Sequence, residues 1–164
     1  MRIRRGGPAD AAAVIGLFDE AVEWLVARGQ TGQWGTEPLS RNAGMVARVE
    51  RWAAGEGLWM AEVDGTVAGA LVVGERPEHV HAVEEPELYV ELLLSSRALA
   101  GRGIGAALIA HAVSLARDAG LSLLRVDCWA GAPTLVAFYE RQGFARDGTF
   151  DMNGWQGQVF SMRL

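Results

Sequence analysis

The segment "ALAGRGIGAAL" at residues 98–108 constrains the fold more than any other part of the sequence. Gly101, Gly103 and Gly105 alternate with other residues just where an apolar helical pattern begins. Within a helix, glycine costs roughly 1 kcal/mol relative to alanine. Three glycines at a helix start therefore indicate that something closely approaches the backbone, and an anion bound at the helix N-terminus is the usual reason. The alternative is a glycine-rich turn that only lets the helix pack tightly.

The composition is that of a globular protein. The chain has 164 residues, of which 50% are hydrophobic and 21% charged, a length and balance that predict a single domain over residues 1–164. The sequence has no apolar run of about 18 residues, so we expect no membrane span. The start "MRIRRGGPAD" has no apolar signal core, and we expect no secretory signal.

Charged and metal-binding residue types narrow the possible partners. The net charge of −5 argues against nucleic-acid binding, which relies on basic patches. The three histidines do not form a ligand spacing with the cysteine or with carboxylates, so we expect no metal. Cys128 is the only cysteine and allows no internal disulfide, which favours a cytoplasmic protein. We interpret Cys128 as a buried structural residue rather than a nucleophile.

Periodicity and turn residues predict the order of elements. A strand at "MRIR" precedes a helix capped by Asp10 and running to about Arg28, and a second helix runs from Ser40 to about Ala54. "GLWMAEVDGTVAGALVVGE" predicts a hairpin, and "ELYVELLLSS" a central strand. A helix over 103–119, a strand at "LSLLRVDCW", a helix from Pro133 and two closing strands follow. We therefore predict an α+β (mixed α/β) domain built around a single sheet.

The glycine segment also matches a dinucleotide-binding pattern. Gly101-x-Gly103-x-x-Ala106 fits G-x-G-x-x-G/A, and Asp127 follows at a suitable distance. However, "SSRALA" separates the preceding strand from Gly101, and fewer than 40 residues follow Asp127. A nicotinamide-dependent enzyme is therefore the weaker interpretation, and it predicts binding of NAD(H).

Two longer segments carry a family resemblance. "YVELLLSSRALAGRGIGAALIAHAVSLARDAG" and "LLRVDCWAGAPTLVAFYERQGF" together resemble the GNAT superfamily of acetyl-CoA-dependent N-acetyltransferases. The resemblance implies a GNAT fold, in which a mostly antiparallel twisted sheet of about 6–7 strands is flanked by about four helices. In that fold the fourth and fifth strands run parallel and splay apart. It also implies transfer of an acetyl group from acetyl-CoA to a primary amine of an unidentified acceptor.

The family signature Q/R-x-x-G-x-G/A falls on the glycine segment. The resemblance implies that backbone groups there bind the pyrophosphate of CoA, and that the fourth strand binds the pantetheine arm. Ala100 occupies the Q/R position, and Ala132 the region where many relatives carry an asparagine; both departures would weaken donor binding. The residues implied are Leu93, Leu94, Ser95, Ala100, Gly101, Arg102, Gly103, Ile104, Gly105 and Ala106.

The same resemblance implies two catalytic residues. Glu91 lies in the fourth strand, where relatives often carry a glutamate that accepts the proton of the amine. Glu87, Glu85 and a chain of water molecules are the alternatives to Glu91. Tyr139 occupies the family's usual tyrosine position and would donate a proton to the departing thiolate. The alternative for Tyr139 is an aromatic ring that only fills the core.

The acceptor side is the least specified. Relatives build it from the first two helices and the loop between them, which here includes Trp34. The resemblance implies an acceptor site with Trp34 and Glu91, a small-molecule or peptide amine as partner, and a monomer or homodimer. The alternative from another class is a non-catalytic acyl-CoA-binding module of the same fold.

Overall fold

The computed structural model describes residues 1–164 and contains seven strands and four α-helices. They follow the order that the sequence predicts. Along the chain they are β1 (Arg2–Arg5), α1 (Ala11–Val26), α2 (Ala43–Ala54), β2 (Leu58–Val63), β3 (Thr66–Gly74), β4 (Glu87–Ser95), α3 (Ile104–Asp118), β5 (Leu123–Trp129), α4 (Pro133–Arg141), β6 (Ala145–Met152) and β7 (Trp155–Arg163). None of the helices is long and apolar enough to cross a membrane.

The strands form one sheet in the order β1-β2-β3-β4-β5-β7-β6. β4 and β5 are parallel, whereas β1–β2, β2–β3, β5–β7 and β6–β7 are antiparallel pairs. The parallel register runs from Glu87 opposite Leu123 to Val90 opposite Val126. Glu91 and Asp127 are therefore the first residues past the last parallel pair. The predicted mixed fold with one parallel pair is confirmed.

The chain divides into two compact units. The first consists of Met1–Val72 with Leu92–Leu108, and the second of Val73–Glu91 with Ile109–Leu164. Each has its own buried apolar cluster, described below by itself.

The core of the first unit is built on α1. Its buried residues recur at helical spacing and face the apolar residues of α2 and of the strands. The cluster comprises Val14, Leu17, Phe18, Ala21, Val49, Ala53, Leu58, Met60, Ala70, Val72, Leu92 and Leu94. The hairpin of β2 and β3 turns at Asp64 and Gly65, with φ of 52° and 76°. Two left-handed residues are what a tight Asp-Gly hairpin turn requires, so the predicted turn is confirmed.

Two helix starts differ from the prediction. Asp10 precedes α1, but its carboxylate accepts hydrogen bonds from Arg4 at 2.8 and 3.0 Å and from the Gly7 amide at 2.9 Å, not from the helix. Helix α2 begins at Ala43 rather than Ser40, because the Asn42 side chain accepts a hydrogen bond from the Met45 amide at 3.0 Å. In the first case the Asp10 carboxylate binds groups outside the helix, and in the second Asn42 rather than Ser40 caps α2.

The second unit combines a small apolar cluster with a fully buried arginine. Val80, Tyr89 and Val159 form the cluster, and Phe150 packs against them. Arg125 on β5 is 0% exposed. A buried guanidinium needs hydrogen-bonding partners, and these come from the strand and loop beside it.

Candidate active site

Two of the three glycines in the turn before α3 have a backbone conformation that favours glycine. Gly101 and Gly103 have φ of 80° and 73°, in the left-handed region. A Cβ built on either would meet no atom within 4 Å, so the space in front of the turn is open. Gly105 lies in the first turn of α3 instead. Successive amides around left-handed residues, followed by the free amides of a helix start, make a concave anion-binding surface.

Side chains around the turn leave its surface to the backbone. Ala100 and Arg102 are exposed, whereas Ile104 is 3% exposed and packs inward. Gly69 on β3 allows that packing: a Cβ there would lie 2.8 Å from Ile104 Cγ2 and from the Leu94 carbonyl oxygen. The start of α3 is therefore held close to β3 by the absence of a side chain.

The end of β4 alternates between the core and a half-buried face. Leu94 is 5% exposed and belongs to the core, while Leu93 and Ser95 are half-buried. Their side chains carry no reactive group. Any contribution of these three residues to donor binding therefore comes from backbone N–H and C=O groups.

Glu91 is half-buried on β4. Its carboxylate lies directly against Gly74 of β3: a Cβ built on Gly74 would collide with Oε2 and lie 3.2 Å from Cδ. Gly74 therefore makes the room that the carboxylate occupies. The sequence gives only a weak signal for this role of Gly74. That signal is a glycine at the end of a predicted strand, in the segment "VVGE".

The two acids that compete with Glu91 are both bound to arginine. Glu87 accepts two hydrogen bonds from buried Arg125, one from Nε and one from Nη2 at 2.9 Å. Glu85 accepts from Arg163 at 2.7 Å, and that contact lowers the pKa of its carboxyl group. The lowered pKa makes Glu85 a poorer base. Both carboxylate oxygens of Glu87 are already occupied by Arg125, which leaves neither open to an amine.

Tyr89 and Asp127 form a hydrogen-bonded pair that the sequence does not predict. The Tyr89 hydroxyl, on a side chain that is 0% exposed, donates to Asp127 Oδ2 at 2.5 Å. Burial raises the pKa of Tyr89 well above its usual value, and the Asp127 charge raises it further. Tyr89 therefore stays protonated and fixes the Asp127 carboxylate. In the sequence, Asp127 matches only the acid of the dinucleotide-binding pattern. The mostly antiparallel sheet does not support a dinucleotide-binding fold.

Tyr139 is packed inside an aromatic cluster. The ring is 4% exposed and lies 5.1 Å from Phe138, 5.7 Å from Phe144 and 5.4 Å from Phe160, measured between ring centroids. Burial raises the pKa of its phenol far above the usual value, with Cys128 and Asp127 adding to the shift. The phenol keeps its proton at neutral pH, and the raised pKa makes it a weaker proton donor than an exposed tyrosine.

Cys128 has the properties of a structural residue. It is 2% exposed, and burial raises the pKa of its thiol to about 12. A nucleophilic cysteine needs a lowered pKa, so the thiol environment opposes that role. No group of three or more His, Cys, Asp or Glu side chains is arranged to bind a metal.

Trp34 lines an open hollow of about 570 Å³ in the segment between α1 and α2. Its ring contacts Phe18 edge-on at 5.1 Å, which anchors it to the core of the first unit. Glu37 and Arg41, on the rim, approach each other to 4.0 Å and are mostly exposed. The hollow thus offers an aromatic wall beside a mixed-charge rim. The remaining residues that line it are Gly35, Thr36, Pro38, Leu39 and Asn42.

Known proteins share the fold. A model of the Acetyltransferase (GNAT) family matches residues 18–144 of the chain, from α1 to the end of the segment after α4. The chain belongs to the GNAT acetyltransferase family. It is therefore an acyltransferase, and the family uses acetyl-CoA as its donor.

Individual relatives of this GNAT acetyltransferase are distant. The "Uncharacterized N-acetyltransferase YesJ" of Bacillus subtilis (strain 168) is 25% identical over 166 residues, covering 89% of this chain and 82% of the relative. A GNAT-family acetyltransferase from Listeria monocytogenes 4b F2365 has a TM-score of 0.77 at 23% identity, covering 99% and 94% of the two chains. A ribosomal-protein-alanine N-acetyltransferase from Brucella melitensis has a TM-score of 0.69 at 22% identity, covering 100% of both. At these identities the two structures show the shared fold alone.

Proposed function

We propose that this GNAT acetyltransferase moves an acetyl group from acetyl-CoA to a primary amine of a small molecule or peptide by direct transfer. The observation that carries the proposal is the turn at residues 101–106. Two left-handed glycines, open space in front of them and the first amides of α3 suit a pyrophosphate. The residues present therefore fit the family's donor.

The donor would be held mainly by the backbone. The amides of Gly101–Ala106 would bind the phosphates, with Arg102 adding a positive charge from its exposed position. Amides and carbonyls of Leu93, Leu94 and Ser95 would bind the pantetheine arm. Because backbone groups make these contacts, alanine at position 100 removes one side-chain contact and leaves the rest.

Two side chains would handle protons. When bound, acetyl-CoA supplies a thioester whose carbonyl carbon bonds to the amine nitrogen as its bond to sulfur breaks. Glu91 would accept the proton that the acceptor ammonium must lose before its nitrogen can attack. Tyr139 would pass its phenolic proton to the sulfur. The second proton, which the nitrogen loses as it becomes an amide, would return to the Tyr139 phenolate, and Glu91 would release the first to solvent. Trp34 and Glu91 would contact the acceptor, the first through its ring and the second through its charge.

The first experiment is an activity screen with the purified protein. Acetyl-CoA is mixed with a panel of primary amines, free thiol is followed over time, and the acetylated product is identified by mass spectrometry. We expect thiol release that depends on both substrates, together with stabilisation of the fold by CoA but not by NADH. Stabilisation by NADH alone would overturn the donor assignment.

Variants then test the proton roles. We expect Glu91→Gln to lower kcat about 100-fold or more, the range of a lost general base, and to leave the CoA affinity unchanged. Glu84→Gln is the matched control, because Glu84 is exposed in the loop before β4. Tyr139→Phe keeps the aromatic packing and removes only the hydroxyl. Full activity in Glu91→Gln would leave the base role to water.

A further inference from the structure

Helix α1 holds the segment that leads into the glycine turn. Glu20 Oε1 accepts hydrogen bonds from the Ser96 hydroxyl at 3.1 Å, the Arg97 amide at 2.5 Å and the Ala98 amide at 2.9 Å. All of these residues belong to the first unit. One carboxylate oxygen thus binds three consecutive residues that end only three positions before Gly101.

This carboxylate replaces a missing cap. Residues Arg97–Leu99 form a short 3-10 helix, whose first amides need an acceptor. Ser96 precedes the helix but makes no capping hydrogen bond, and it donates its hydroxyl to Glu20 instead. The cap is therefore supplied by a residue 77 positions away from Arg97 in the sequence.

A second contact lies one helical turn further along α1. The Arg97 guanidinium stacks on the Trp24 ring, 4.3 Å from its centroid, and Arg28 lies 3.8 Å from the same centroid. The Nε atom of Arg97 is buried, and this burial lowers the pKa of the guanidinium. Positions 20 and 24 share one face of a helix, so α1 holds the backbone and a side chain of the same segment together.

We propose that Glu20, supported by Trp24, positions the glycine turn for the phosphates of acetyl-CoA. The inference rests on the proposed function, since it assigns a role within donor binding. Glu20 acts through the 3-10 helix and does not touch the donor itself. A turn fixed before binding avoids the cost of ordering it when the ligand arrives.

The charge of Glu20 makes the test sharp. If only long-range electrostatics mattered, removing a negative charge near a phosphate site would tighten CoA binding. A positioning role for Glu20 predicts instead that CoA binding becomes weaker when the side chain is removed. The two explanations are thus separated by the direction of the change as well as by its size.

The experiment compares three variants by calorimetric titration with CoA and by steady-state kinetics. We expect Glu20→Ala to weaken CoA binding and raise KM for acetyl-CoA about tenfold, the value of one charge-assisted hydrogen bond, with kcat changed little. Glu20→Gln keeps an acceptor oxygen and should restore most of the affinity. Glu23→Ala removes the same charge from an exposed position of α1 and should behave as the unmodified protein.

Each outcome decides. Unchanged or tighter CoA binding in Glu20→Ala, while the unmodified protein binds CoA, overturns the positioning role and leaves the proposed function intact. Failure of the unmodified protein to bind CoA overturns both. If Glu20→Ala does not fold, Ser96→Ala removes one of the three donors, and we expect it to weaken CoA binding about threefold. No change in a folded Ser96→Ala then overturns the inference.

Discussion

The glycine turn of the first unit and the polar face of β4 and β5 in the second unit are built in different ways. The turn is shaped by backbone torsions, with φ of 80° and 73° at Gly101 and Gly103. The strand face is shaped by side-chain pairs. Glu87 binds Arg125 and Tyr89 binds Asp127, each reaching two residues past its register partner.

The difference teaches which substitutions each region tolerates. At the turn, we expect the side chain at position 100 to matter little. A Cβ added to a left-handed glycine should be poorly tolerated. On β4 and just before it, the partner of each side chain decides its role, because Glu85, Glu87 and Glu91 have the same carboxyl group and different neighbours. The predictions below test this contrast.

The largest effect is expected where the strand face is most buried. Glu87→Gln leaves the Arg125 guanidinium, which is 0% exposed, without its opposing charge. Removing one partner of a buried ion pair costs about 3–5 kcal/mol of unfolding free energy. Urea denaturation measures this loss, with Glu84→Gln as the exposed control. A loss no larger than that of the control would mean that Glu87 is not structural.

The next largest effect is expected for Gly74→Ala, which should lower the reaction rate and change the stability of the fold little. The new Cβ would occupy the position of Glu91 Oε2, so the carboxylate must move. Because that atom is at the end of a flexible side chain, we expect little change in Tm. A misplacement of about 1 Å costs roughly 100-fold in rate. Kinetics of Gly74→Ala, Glu91→Gln and the double variant check this, since the two losses should not add.

Gly103→Ala tests the turn itself. Forcing an L-residue into the left-handed region costs about 1–2 kcal/mol, and the Cβ would project into the open space before the turn. We expect CoA binding about tenfold weaker with kcat retained. Gly16→Ala is a control of opposite sign, because Gly16 lies within α1 and alanine there favours the helix by roughly 1 kcal/mol.

The smallest effect is expected for Ala100→Arg. This change restores the side chain that the family signature carries at an exposed position. Exposed ion pairs contribute up to about 1 kcal/mol, which corresponds to at most about a fivefold gain in CoA affinity. Calorimetric titration measures it. A gain of 100-fold would show that side chains, rather than the backbone, dominate binding at the turn.

Much of the fold was predictable because its signals are local. The Asp64-Gly65 turn, the start of α4 at Pro133 and the element order depend on neighbouring residues, and the structure confirms them. The two exceptions also involve nearby residues, six positions apart for Arg4 and Asp10 and three for Asn42 and Met45, where one polar group takes the place of another. Asp10 is bound by Arg4 of β1, and α2 begins after Asn42 rather than at Ser40.

The candidate site divides in the same way. The sequence pointed to the glycine turn and to Glu91 and Tyr139 as candidates, through torsional preference and family resemblance. It could not show that Gly74 makes room for Glu91, or that Glu85 and Glu87 are bound to arginines. Those contacts depend on strand register and on loops that bring together residues well separated in the sequence: 17 positions for Gly74 and Glu91, 38 for Glu87 and Arg125, and 78 for Glu85 and Arg163.

By itself, then, the sequence determined which segments are helices and strands, where the hairpin and the glycine turn lie, and the family to which the chain belongs. These properties follow from torsional limits and periodicity, which act over a few residues. Only the tertiary structure decided which of several identical carboxylates is held by a cation, which lies against a glycine, and that Glu20 caps the segment before the turn. The reactivity of a carboxylate depends on the charges and hydrogen-bond donors around it, and these are set by tertiary contacts.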